Sequence, residues 1–221
     1  MDVAKSFTYT FEDRNWVIKV LVGGVLSIIP IASFLVGGYM IEVARNIALG
    51  AADGLPEWDD WGQKFIRGVL SWLINLIYSL PMILLGMCLG LALAVTEQGE
   101  NGDALRALFS LCLGMPMALY GLVMALWLPA ARLRYAVTDN VAAAFQFREI
   151  FDLISANLSN YALAIAASIG AAVAVALAGT LVAGITCGLG ALLAPFIGFV
   201  GYVIMAHLFG QVYREAQVGA A

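Results

Sequence analysis

Charged side chains are almost missing from five long stretches of this chain: residues 16–49, 66–95, 104–131, 161–183 and 185–212. Folded in water, such stretches would leave far more apolar surface than one core could hide. Bilayer hydrocarbon is about 30 Å thick and takes about 20 apolar residues per helical crossing. Inside it, backbone polar groups must be satisfied within the segment, which selects helices. The composition agrees: 62% of the 221 residues are hydrophobic and 12% are charged, with mean hydropathy +0.92. An ordinary globular domain carries about 25% charged residues. A basic nucleic-acid surface, a disulfide-rich secreted scaffold and a disordered linker are excluded. The expected fold is all-α, a polytopic helical membrane bundle forming a single transmembrane domain over residues 1–221.

The first stretch is too long for one crossing. As a single helix its thirty-four residues would reach about 50 Å. Pro30 interrupts it, because proline removes a donor and disfavours the helical region for the residue before it. Two short helices, 16–29 and 32–49, are expected, either as a full hairpin or as a partly re-entrant one. Six spans with both ends inside place ten Lys and Arg on one side (Lys5, Arg14, Lys19, Arg45, Lys64, Arg67, Arg132, Arg134, Arg148, Arg214) and only Arg106 on the other. A single first span would give seven against four. The positive-inside rule selects the first arrangement. The expectation is therefore about six transmembrane helices as three hairpins in the cell inner membrane, with the N-terminus and C-terminus cytoplasmic. The first fifteen residues are polar and lack a signal-peptide pattern, so the first apolar run should be retained. The outer face then holds one modest loop, TEQGENGD at 96–103.

The cytoplasmic segments resemble one another. Phe11-Glu12-Asp13 leads to Trp16, Trp58-Asp59-Asp60 to Trp61 and Phe65, and Phe147-Arg148-Glu149 to Phe151. Each precedes an apolar hairpin whose return ends in an arginine: Arg45, Arg132 or Arg214. Three repeats, 7–50, 55–138 and 140–217, fit this pattern. Chance likeness at membrane entries is the alternative, since aromatics are enriched there. In the third segment Phe147, Ile150, Phe151, Ile154 and Leu158 share one helical face. It would lie in the headgroup plane or cap the bundle.

The fifth helix, YALAIAASIGAAVAVALAGTLVAG, sets Ile165, Ile169, Val173, Leu177 and Leu181 four apart among small residues. Small residues let helix backbones approach closely in lipid. Ala164, Ser168 and Ala171 are packing candidates, and the helix is expected at the bundle centre or at a subunit contact. Gly86 and Gly90 form a second small-residue seam.

Intramembrane polar groups are functional candidates by default. Tyr39, Glu42, Arg45, Asn75, Arg132 and His207 could line a cytoplasm-facing polar cavity. The plainer readings are an i, i+3 ion pair for Glu42 and Arg45 and a hydrogen-bonded packing role for His207. Trp58, Asp59, Asp60 and Trp61 form a candidate interface loop for a cation or a partner. The alternative is a surface anchor whose acids cap the next helix. Cys88, Cys112 and Cys187 lie in apolar runs and read as small buried hydrophobes. One histidine and scattered cysteines make no metal set, and no base adjoins a nucleophile.

Phe11-Glu12-Asp13 to Trp16, Ile29-Pro30-Ile31, Gly38-Tyr39 with Arg45-Asn46, and Leu55-Pro56-Glu57-Trp58-Asp59-Asp60-Trp61 with Gly68 resemble the opening of the DUF4013 family. Phe145-x-Phe147, Asn157 to Tyr161, and Ala206-His207-Leu208 with Gln211-x-Tyr213-Arg214 are similar to its C-terminal part. The resemblance spans nearly the whole chain, with LPEWDDW its most specific piece. It implies an uncharacterised prokaryotic membrane protein and carries no activity. The functional expectation is a non-catalytic integral membrane protein, a scaffold or accessory subunit packing through small-residue helix faces. The alternative is a small-molecule or lipid transporter or channel. Partners would be membrane lipids and a second copy or another membrane subunit. No nucleic acid, cofactor or metal is expected.

Overall fold

The computed structural model describes residues 1–51, 54–96, 102–186 and 189–219, and among them the chain is helical without a strand. Eight α-helices follow in order: α1 (Val3–Glu12), α2 (Trp16–Ile28), α3 (Ser33–Leu49), α4 (Trp61–Val95), α5 (Gly102–Thr138), α6 (Phe147–Ala156), α7 (Leu158–Ile185) and α8 (Ala194–Gly219). Short 3-10 turns at Val141–Phe145 and Leu189–Leu193 connect them. Most of the expected outer loop and Cys187 lie outside the described residues.

Pro30 divides the first apolar stretch. The turn at Pro30 satisfies its own backbone: the Ile29 amide donates to Leu26 and the Ser33 amide to Ile29. Ser27 and Ser33 hydroxyls also donate to nearby carbonyls, of Gly23 and Pro30. Pro81, Pro116 and Pro129 do not break their helices; α4 runs unbroken through Pro81. Four helices, α4, α5, α7 and α8, are long and apolar enough to cross a membrane. The 13 residues of α2 and 17 of α3 make helices of about 20 and 25 Å, short of a full crossing.

The chain divides into two compact units. The first comprises Met1–Trp72 and Ala130–Ala221. Its centre is α8, which contacts α1, α2, α3 and α7. Glycines make the closest approaches. A Cβ on Gly38 would fall 1.8 Å from the Lys64 carbonyl oxygen, and one on Gly68 would fall 1.7 Å from that of Phe34. Backbone therefore lies on backbone where α3 crosses α4. Gly23 and Gly24 leave room for the Phe199 and Phe196 rings of α8. The core between these helices holds Tyr9, Val20, Val36, Tyr39, Val43, Ile47, Leu55, Phe199 and Val203.

The second unit is Leu73–Pro129, the apolar parts of α4 and α5. The Tyr120 hydroxyl donates to the Tyr78 carbonyl at 2.6 Å, and the Trp127 indole donates to the Tyr78 hydroxyl. Leu84, Met87, Leu91, Leu111, Met115, Leu119 and Leu122 are exposed. This outward apolar surface is what hydrocarbon solvent requires. Cys88 and Cys112 are also exposed. The expectation that they are buried is corrected: on a lipid-facing helix a small apolar side chain has no reason to turn inward.

Candidate functional site

The LPEWDDW segment is locked from beneath. Three successive carbonyls, of Gly54, Leu55 and Pro56, accept hydrogen bonds from three buried side chains of the first unit. Tyr9 of α1 donates to Gly54, the Lys19 ammonium of α2 to Leu55 at 2.7 Å, and Tyr39 of α3 to Pro56 at 2.9 Å. The Leu55 amide donates to Asp13. Trp58 stacks on Tyr39 with ring centroids 4.3 Å apart, and its indole donates to the Lys19 carbonyl. The loop carries its own unpaired backbone groups into a protein interior. Each would cost the fold if unbonded, so the neighbouring helices supply donors.

Two buried lysines each carry two carboxylates. Lys19 lies 2.8 Å from Asp13 and 2.7 Å from Glu57. Lys64 lies 3.0 Å from Glu42 and 2.8 Å from Asp59. A third junction has the opposite sign: Asp139, just past α5, receives Arg45 of α3 at 3.0 Å and Arg67 of α4 at 2.8 Å. These contacts tie α2 to the LPEWDDW segment, and α3 to the start of α4 and to the residue after α5. Burial works against ionisation of Asp13, yet hydrogen bonds from Lys19 and from the Asn15 and Leu55 amides hold its carboxyl below the usual range. The Arg67 hydrogen bond does the same for Asp139, and that of Lys64 for Asp59.

His207, on α8, faces α1. Its Nδ1 lies 2.9 Å from the Ser6 hydroxyl and 2.9 Å from the Gln211 amide nitrogen. An amide nitrogen can only donate, so Nδ1 accepts and the imidazole proton is assigned to Nε2. Gln211 also clasps Asp2 through both ends of its amide. Tyr9 packs on the ring at 4.3 Å. The Met1 amine pairs with Glu215, so the start of α1 meets the C-terminal part of α8.

Of the residues expected to line one cavity, four have partners of their own. Tyr39, Glu42, Arg45 and His207 belong to the separate bonded groups above. Glu42 pairs with Lys64 and Arg45 with Asp139; the expected Glu42–Arg45 pair is corrected, because partners from other helices reach both side chains. Arg132 is half-buried in the first unit, and Asn75 falls in the second. In the loop, Trp58 turns inward, Asp59 is bonded to Lys64, and Trp61 stays exposed. Among small residues, Ala164, Ser168 and Ala171 form the buried face of α7, against α8. Tyr161 is buried on the same helix, Ile165 is half-buried, and Ile169, Val173, Leu177 and Leu181 are exposed. The expected place at the bundle centre is therefore corrected to a one-sided contact. A Cβ on Gly86 would touch Met117 at 3.6 Å, whereas Gly90 faces open space. On α6, Ile150 and Leu153 are buried while Phe147 and Phe151 point outward.

Sequence reading missed Asp139, the buried lysines as paired groups, and Ser6. It also missed the glycine pairs Gly23-Gly24 and Gly37-Gly38. They lie symmetrically about Pro30-Ile31, and that symmetry is the signal that could have found them.

An all-helical chain with four helices long and apolar enough to cross a membrane defines a helical membrane protein. Residues 22–184 match the family model described as DUF4013, a protein of unknown function. The chain belongs to the DUF4013 family. No curated protein and no solved structure matches it.

Proposed function

We propose that this protein is a non-catalytic scaffold or accessory subunit of the cytoplasmic membrane, with both termini in the cytoplasm. One observation carries the reading. The polar side chains a transporter would turn towards a solute pathway are engaged in holding the chain together: Tyr39 on Pro56, Glu42 on Lys64, Arg45 on Asp139 and His207 on Ser6 and Gln211. The outward side of α7 supports lateral association, because Ala162, Ala166, Gly170, Ala174 and Ala178 recur four apart and are exposed, and small residues let a neighbouring helix approach closely. The contact of the N-terminal amine with Glu215 supports a common side for both ends.

The test is purification in mild detergent followed by reconstitution. A scaffold should carry a stoichiometric membrane partner and give vesicles no tighter or leakier than protein-free ones. Saturable solute flux that disappears in Glu42→Ala or His207→Ala would defeat the proposal and establish the transporter alternative.

A further inference from the structure

The first unit exposes aromatic residues in a pattern that its core does not explain. Three pairs stand four residues apart on helices: Phe7 and Phe11 on α1, Trp61 and Phe65 at the start of α4, Phe147 and Phe151 on α6. All six are more than a third exposed, from 36% for Phe65 to 62% for Phe151. Side chains at i and i+4 lie one above the other on a helix face, so each pair is one aromatic strip of about a helical turn.

Each helix that carries a strip is bonded to the first unit on another side. On α1 the opposite face buries Ser6, Tyr9 and Thr10, and Asp2 is clasped by Gln211. Beside Trp61 and Phe65, Lys64 turns inward to Glu42 and Asp59. Beside Phe147, Glu149 pairs with Arg134 of α5. The three helices are thus held to the first unit on one side, by polar contacts on α1 and α4 and by buried Ile150 and Leu153 on α6, and present aromatics on the other.

Each strip also continues into exposed apolar surface on a following or neighbouring helix. Phe11 meets Trp16 edge-on at 5.0 Å, and Val17, Ile18, Leu21 and Val25 carry on along α2. Phe65 meets Phe34 edge-on at 5.8 Å, and Phe34 meets Trp72 at 5.9 Å. Beyond Phe151, Leu158 and Leu163 carry on along α7. A strip with polar contacts beside it and apolar surface along its continuation fits a boundary between water and hydrocarbon. Rigid aromatic rings favour that depth.

We propose that the three aromatic pairs are feet that seat this chain at the headgroup–acyl boundary of one leaflet. Their occupant is the lipid surface. The inference rests on the membrane reading above and deepens it by fixing which residues set the depth of the protein.

The full chain, with Cys88, Cys112 and Cys187 replaced by serine, is reconstituted in phosphatidylcholine–phosphatidylglycerol vesicles. A fluorophore is placed singly through Phe7→Cys, Trp61→Cys or Phe151→Cys. Quenching is compared between lipids spin-labelled near the glycerol, lipids labelled near the acyl terminus, and aqueous iodide. Each site should be quenched about two-fold or more better by the shallow lipid label than by either other quencher, as interfacial aromatics require. Stronger quenching by iodide or by the deep label at any site overturns the proposal. So does a site that no quencher reaches, because a protein surface then covers it. Phe11, Phe65 and Phe147 provide replacement sites where the first variant does not fold. A fluorophore at Leu84, exposed midway along α4, tests the underlying reading separately. If the deep lipid label fails to quench it, the membrane reading itself has failed.

Discussion

Asp139 shows how much one side chain can hold. It follows the last residue of α5 with φ 54°, in the left-handed region that aspartate tolerates better than most residues. That turn points its carboxylate at Arg45 and Arg67 together. Because the folded carboxyl is held below its ordinary value of 3.8, it contributes stability that is complete above that value. The contribution is lost as pH falls through the lowered one. Melting of the purified protein in detergent should therefore soften on acidification below about pH 4. In Asp139→Asn the melting temperature should already be lower at neutral pH, and this junction's share of the acid response should vanish. An acid response as large in the variant as in the natural protein would refute the assignment. Nothing in the sequence singled out this residue, since its two partners come from helices about seventy and ninety positions away in the chain. The LPEWDDW motif was legible as distinctive, but its reason was not. It needs Tyr9, Lys19 and Tyr39 brought beneath three successive carbonyls.

At the scale of helices, apolar length and proline placement predicted most elements. The expected break at Pro30 separates α2 from α3, and the amphipathic third segment became α6. Which small residues matter was not legible. Spacing alone singled out Gly86 and Gly90, yet the closest approaches are at Gly38 and Gly68. Gly38→Ala or Gly68→Ala would press a methyl into a neighbouring carbonyl, where no flexible side chain can yield. Each should cost about 3 kcal/mol or prevent folding, read by denaturant titration in mixed micelles. Gly90→Ala enters open space and should instead be neutral or stabilise its helix by up to about 1 kcal/mol. Equal effects at Gly38 and Gly90 would mean that the α3–α4 crossing is not a backbone contact. The four-residue repeat of α7 likewise predicts a place at the bundle centre or at a subunit contact, and within the chain its buried face meets α8. In lipid, large residues can face outward without penalty, so the pattern marks which side is thin rather than which helix is innermost.

For the whole chain, the proposed topology puts ten of the eleven Lys and Arg on one side. Of these, Lys19, Lys64, Arg45, Arg67 and Arg134 meet acids. With the N-terminal amine on Glu215, positions 14 and 214 should share a side. Single cysteines replacing Arg14 and Arg214 in a background without the natural cysteines should react with an impermeant maleimide only when the cytoplasmic face is open. Labelling of the two from opposite faces would overturn the arrangement.

The residues alone determined the solvent of this protein and its helical class, because those depend on the length of apolar runs and the scarcity of charge, both local sums along the chain. Tertiary structure decided which polar groups neutralise one another, which glycines touch and which face of each helix turns outward. Those are matters of pairing between distant segments. A linear pattern holds no record of which partner arrives first at a given carboxylate.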